Sequence, residues 1–306
     1  MRYNSGLQTR HLQDAHAPGG AAFALVECGA GMVKRLFKGF FVMFGMLSGA
    51  WRYRFFISSS VRTELRTKFV RSRLGGLWMI LNPLAQVLIF AFVLSTVLSS
   101  KLPGITNKYA YAIYLMSGTL GWSLFAEVVN RCLTLFIDNA NILKKLAFPR
   151  IALPFIVVGS AVVNNLLLFA AILLIFGVLG HLPGLALAWL PFLMLVTIAL
   201  ALGLGLALGV LNVFMRDIGQ VVPVVMQFLY WFTPVVYMAN IIPQEYRGYL
   251  AFNPLIPIIT SYQDVLLYNR MPDVGGLLAV GAGSLILLGI SLVLFRKASP
   301  EMVDQL

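Results

Sequence analysis

The chain has 306 residues, 59% of them hydrophobic and only 11% charged, with a formal net charge of +12. So few charges cannot coat a water-soluble surface, which excludes a soluble one- or two-domain protein and points to a helical protein that crosses a membrane repeatedly. The apolar runs are unbroken rather than alternating, which excludes a transmembrane barrel. The basic excess is crowded into one region, with 12 of the 23 Lys and Arg before Trp78, and reads as a topology signal, not a nucleic-acid footprint.

Residues 1–50 read as an N-terminal tail with a membrane-surface segment. The first thirty residues lack any period and read as a mobile tail. Leu36 to Ala50 is apolar but interrupted by Lys38 and followed by Arg52 and Arg54. Fifteen residues reach only ~22 Å at 1.5 Å each, short of a span of about 20 residues, so this stretch reads as a surface or re-entrant segment and not as a signal peptide.

Residues 51–77 form the expected interface-helix region. Val61, Leu65 and Phe69 recur every fourth residue, widened by Val70 and Leu74, while Arg62, Arg66, Lys68, Arg71 and Arg73 fill most of the remainder. Such a helix lies in the headgroup layer, apolar face toward the lipid and arginines toward anionic headgroups. Gly75-Gly76 breaks it, and Asn82-Pro83 can cap and start a new helix.

Residues 78–297 form the expected transmembrane domain, with six apolar segments at about 78–100, 109–136, 151–179, 185–211, 219–238 and 274–295. Counted by loop, nineteen Lys and Arg fall on the side of the N-terminal region, of Arg131, Lys144, Lys145 and Arg150, of Arg216, and of Arg296 and Lys297. Four fall on the other: Lys101, Lys108, Arg247 and Arg270. This imbalance places both termini in the cytoplasm, with residues 298–306 as a cytoplasmic tail. The outer connection 239–273 holds an apolar piece, Leu250 to Thr260, broken by Pro254 and Pro257. It is too short to span and reads as short re-entrant or interfacial helices.

The run RTELRTKFVRSRLGGLWMILNPLAQ, at 62–86, resembles the lead-in to the first membrane helix of the permease subunit of ABC-type polysaccharide exporters, and the similarity extends over about residues 51–297. The resemblance implies a second copy of the permease, two copies of a cytoplasmic ABC ATPase, and a lipid-linked polysaccharide (O-antigen, capsule or teichoic acid) as cargo in a bacterial cytoplasmic membrane. Membrane lipid is a further partner, and no nucleic acid is expected. No G-x-x-x-x-G-K-[ST] phosphate loop occurs, so the chain is not expected to bind ATP in that manner by itself. The resemblance implies that ATP and Mg are held by the partner ATPase, and this chain is not expected to be an enzyme or to hold a cofactor or metal.

The loop 137–150, IDNANILKKLAFPR, has two readings. It is a basic loop that fixes topology, or a short helix that docks into a partner, with Ile142, Leu146 and Phe148 entering a groove ringed by Lys144 and Lys145. The position matches the family's ATPase-coupling helix and the phrase Phe148-Pro149-Arg150 looks like the family's, so the resemblance assigns Asn141, Ile142, Lys144, Lys145, Leu146, Phe148, Pro149 and Arg150 to coupling. Arg62, Arg66, Arg71 and Arg73 are assigned to the entrance. Arg216-Asp217, in a phrase shared with the family, caps a helix end or serves gating. Glu127 and Arg131, four apart near the cytoplasmic end of the second segment, are gating candidates or a plain i,i+4 pair with Arg131 snorkelling.

Sugars present apolar faces edged by hydroxyls, so Trp122, Phe125, Tyr230, Trp231 and Tyr237 are candidate channel-lining rings, although lipid-facing packing explains any one of them equally well. Tyr109, Tyr111 and Tyr114 fit an interfacial belt. Ala201, Gly205 and Gly209 recur every fourth residue and read as close helix packing. Cys28 and Cys132 fit no metal spacing, and Cys132 reads as a small buried residue. The rival readings are a permease for a small hydrophobic substrate or drug, a membrane-embedded enzyme acting on lipid-linked sugars, which needs clustered acids or histidines that the sequence does not show, and a secondary transporter or channel. The latter needs ionisable groups at mid-membrane, where this chain has mainly amides such as Asn164 and Asn165.

Overall fold

The computed structural model describes residues 51–70, 77–78, 80–86, 88–89, 110–145, 150–238, 248 and 252–305. Among these residues all regular structure is helical. The elements are α1 (Arg54–Val70), α2 (Ala110–Asp138), α3 (Ala140–Lys145), α4 (Ala152–Val178), α5 (Leu190–Phe214), α6 (Ile218–Phe232), α7 (Leu255–Leu266) and α8 (Val274–Gln305). A 3-10 turn, Leu185–Trp189, leads into α5.

Four stretches among the described residues are long and apolar enough to cross a membrane: α2, α4, α5 with its lead-in, and α8 through Met302. They correspond to the segments expected at 109–136, 151–179, 185–211 and 274–295. The first expected segment lies mostly outside the described residues; its described pieces at 80–86 and 88–89 are helical. The fifth, expected over 219–238, is helical only as α6, whose 15 residues rise ~22 Å against a hydrocarbon core of about 30 Å. The helix stops because Thr233 precedes Pro234 and is driven into extended backbone, at φ −106 and ψ 135.

The buried pair at the centre is α2 and α5. They approach closely because α5 offers glycine where α2 offers Cys132: a Cβ on Gly205 would lie 2.7 Å from that of Cys132, and one on Gly209 would strike the Cys132 carbonyl oxygen. The small-residue spacing read from the sequence is therefore this contact. On its other side α5 meets α8, where Ser291 Oγ donates to the Gly203 carbonyl at 2.6 Å. From α4, Asn165 Nδ2 donates to the Leu120 carbonyl of α2 at 2.9 Å. Amide and hydroxyl contacts of this kind hold helices together where water offers no hydrophobic drive.

Successive long helices alternate in direction, so the bundle has two ends. One gathers α3, Arg150, the α5–α6 turn with Arg216, and the Arg296–Lys297 end of α8. The other gathers the start of α2, residues 233–238, α7 and Arg270. The helix α7 begins at Leu255 and continues past the expected limit at Thr260 to Leu266. Pro257 does not break it, because a proline in the first turn forfeits no needed N–H. Its buried face rests on α2, where Gly121 lies under Tyr262 and Ile259 and Gly118 lies under Gln263. At the opposite end of the chain order, α8 runs through Pro300 to Gln305, so most of the expected tail is helix.

Gly209→Ala should destabilise the bundle although alanine favours helix by about 1 kcal/mol, since the obstructing atom is backbone and cannot rotate away. Gly283→Ala, where a Cβ meets nothing within 4 Å, should be neutral or stabilising. Thermal unfolding in detergent checks the opposite signs.

Candidate functional site

A polar ladder joins α1 to α2 and α4. Along α1, Ile57, Ser60, Val61, Glu64 and Leu65 are partly buried, whereas Arg62, Thr63, Arg66 and Thr67 are exposed. These spacings of three and four define one face. The sequence reading turns Val61 and Leu65 toward lipid; in the structure that face packs on α4, where a Cβ on Gly159 would lie 2.9 Å from Val61 Cγ2. Glu64 sits on the same face and reaches two helices at once. Its Oε1 accepts from Arg131 Nη2 of α2 at 2.7 Å, and its Oε2 accepts from Ser160 Oγ of α4 at 2.7 Å.

The ladder continues inward. Arg131 Nη1 lies 3.5 Å from Glu127 Oε1, a charge contact rather than a hydrogen bond. Glu127 Oε1 in turn accepts from Asn164 Nδ2 at 2.5 Å. Glu127 and Arg131, expected as gating candidates or a plain i,i+4 pair, belong to a five-residue chain with Glu64, Ser160 and Asn164. Two carboxylates share one guanidinium, an arrangement suited to arginine's planar fork of donors. The sequence carried one signal for Glu64: it is the single acid among the five basic residues of 51–70, on the face shared with Val61. Arg62 and Arg66 point away from this contact and are exposed. Arg71 and Arg73 lie outside the described residues.

At the basic end, α3 follows α2 after a turn at Asn139, whose Nδ2 donates to the Leu135 carbonyl at 2.7 Å. Asn141, Ile142 and Lys144 are exposed and Leu143 is buried. Lys145 closes the helix; Leu146, Phe148 and Pro149 lie outside the described residues. Arg150 does not point toward α3's exposed side but bonds Ser299 of α8. Arg216 and Asp217 are exposed in the turn between α5 and α6. Asp217 occupies the N-cap position of α6 without a side-chain capping bond.

The aromatic candidates form a string across α2 and α6. Trp122 contacts Phe125 and Tyr230 at ring-centroid distances of 5.8 and 5.1 Å, and Tyr230 contacts Trp231 at 5.9 Å. Phe125 is 1% exposed and fills the core in this conformation. Trp231 is half exposed, on the α6 face that also carries Val221, Val224, Phe228 and Phe232.

At the far end, the expected tyrosine belt is turned inward. Tyr111 and Tyr114 are buried, because the broken end of α6 leaves carbonyls that need donors. Tyr111 Oη donates to the Val236 carbonyl at 2.7 Å. Tyr114 Oη lies 2.8 and 3.1 Å from the carbonyls of Tyr237 and Pro234, and Gln263 Nε2 donates to Pro234 at 2.8 Å. Tyr237 is therefore held through its backbone. Tyr109 lies outside the described residues. Near α7, burial pushes the Asp264 carboxyl upward, Arg270 pulls it back and Asp273 adds to the push. Among the described residues no group of three His, Cys, Asp or Glu could hold a metal.

Among the described residues, long apolar helices joined by short ones and pinned by a ladder of charged and polar side chains define a polytopic membrane domain. Residues 56–267, from α1 through α7, match the family described as ABC-2 type transporter, and the chain belongs to that family. An O-antigen export system permease protein, RfbA, of Myxococcus xanthus is 28% identical over 270 residues, 86% of this chain and all of that protein. An RfbA of Klebsiella pneumoniae is 28% identical over 209 residues, covering 68% of this chain and 78% of that protein. The polysialic acid transport protein KpsM of Escherichia coli is 24% identical over 246 residues, 78% of this chain and 92% of that one.

Removing Glu64 should release α1 from the bundle. Glu64→Ala deletes two charge-assisted hydrogen bonds, together about 2–4 kcal/mol after allowance for their partial exposure, and should speed tryptic cleavage at Arg62 and Arg66. Glu64→Gln, which keeps an acceptor and a matching shape, should fall between Glu64→Ala and the unmodified protein in the same limited-proteolysis series.

Proposed function

We propose that this chain is the membrane-spanning permease subunit of an ATP-driven exporter that moves a lipid-linked polysaccharide across a bacterial cytoplasmic membrane. Two copies form the pathway and two copies of an ABC ATPase, carrying ATP and Mg, dock beneath. The observation that carries the reading is α3: a six-residue helix between two spans, at the basic end of the bundle, with Asn141, Ile142 and Lys144 directed outward. A contact of that kind passes a partner's movement to both spans as a rigid body. The names of the relatives, O-antigen export and polysialic acid transport, support a polymeric sugar as cargo. The exposed arginines of α1 support a place for that helix at the headgroups, and the gathering of basic helix ends supports cytoplasmic termini. On this reading α7 is a short helix on the outer side, Glu127 and Arg131 move with the gate, and Trp122 and Trp231 are the rings nearest the path.

Deleting the gene should abolish surface polymer and leave completed polymer in the cytoplasm, with export restored by the intact chain. Undiminished surface polymer in the deletion strain overturns the reading. Orientation is checked separately with Glu301→Cys in a background lacking Cys28 and Cys132. An impermeant maleimide should label it only after the cells are opened, and labelling of intact cells reverses the topology.

A further inference from the structure

The last helix does not end where its apolar composition ends. Arg296 and Lys297 are exposed and mark that limit, yet α8 continues to Gln305. Within the continuation Met302 is only 3% exposed. It belongs to the buried apolar cluster of the bundle, and α8 also contacts α3. Two further contacts bracket α3 in sequence. Before it, the Phe136 ring of α2 stacks on Phe295 of α8, with centroids 5.1 Å apart and planes 16° apart. After it, Arg150 Nη1 donates to Ser299 twice, to Oγ at 2.6 Å and to the carbonyl oxygen.

A six-residue helix has too few backbone bonds to hold itself in place, so its position is set by packing. Leu143, the buried residue of α3, supplies one such anchor. The two flanking contacts both lead to α8. We propose that residues 296–305 of α8 form a strut that fixes α3 in its partner-facing position, with Arg150 as the positioning residue. The inference rests on α3 being the ATPase-contacting helix. It adds the last span to the route by which a push on α3 reaches the membrane: the push is resisted by α8 through Phe295 and Ser299 instead of being absorbed by rotation of the α2–α4 connection. Without the strut α3 swivels, and ATP is hydrolysed with little polymer moved.

The test is performed on the full permease–ATPase complex in lipid, reading polymer exported per ATP hydrolysed, normalised to the ATPase that co-purifies. Arg150→Ala should lower that ratio by about threefold or more, the size expected of one coupling contact. Arg150→Lys, whose ammonium can still donate to both Ser299 oxygens, should recover at least half of the loss, and Ser299→Ala should add nothing in the Arg150→Ala background. Truncation after Lys297 should reproduce the Arg150→Ala ratio and serves as the test if Arg150→Ala fails to accumulate. Ile142→Asp is the control for the underlying reading and should release the ATPase. An unchanged ratio in Arg150→Ala or in the truncation, with Ile142→Asp releasing the ATPase, overturns the strut alone. Loss of the ATPase from Arg150→Ala without rescue by lysine also overturns it, by making Arg150 part of the docking surface. If Ile142→Asp keeps its ATPase and exports normally, the α3 reading falls and the strut with it.

Discussion

A guanidinium cannot be carried along an apolar span without partners, and the rest of this structure follows from how Arg131 finds them. Its own helix supplies Glu127 one turn away, at 3.5 Å. The closer partner comes from outside the span, from Glu64 at 2.7 Å. A charge in low dielectric is costly unless paired and hydrogen-bonded, and if α1 drifts from the bundle Arg131 loses its hydrogen-bonded partner and keeps only the longer contact to Glu127. The helix α1 is thereby made a structural part of the domain, with Ser160 donating to the second oxygen of Glu64 and Asn164 donating to Glu127.

The same logic, with neutral groups, explains the rest of the packing. Between α2, α4, α5 and α8 there is no apolar gain over lipid, so small residues and side-chain amides and hydroxyls decide which faces meet. Gly205 and Gly209 admit Cys132, Asn212 reaches the Leu133 carbonyl at 2.8 Å, and Ser291 reaches Gly203. Each contact involves a residue that looks unremarkable in an apolar string.

How much of this was legible follows from the kind of signal involved. Four long spans were visible because twenty or more apolar residues leave no other reading. The glycine spacing on α5 was visible because it is periodic. Glu64 stands out only as the lone acid of its stretch, and its role is not legible because its partners lie 67 and 96 residues away. Tyr111 and Tyr114 were misplaced for a related reason. Tyrosines at the start of a span usually face the interface, and only the break before Pro234, whose carbonyls lack helical partners, turns them inward. The extension of α8 was hidden because Arg296 and Lys297 close the apolar segment, and composition alone does not show a helix continuing past it.

The turn after α6 has a consequence for how this domain can be recombined. The carbonyls of Pro234, Val236 and Tyr237 are satisfied by side chains from α2 and α7. Segment 233–238 is therefore not a portable module. A chimera that exchanges it with a relative's while leaving a mismatched residue at Tyr111, Tyr114 or Gln263 inherits a buried carbonyl with no donor. The unit of exchange is the turn together with those three positions, although they are spread over more than 150 residues of chain.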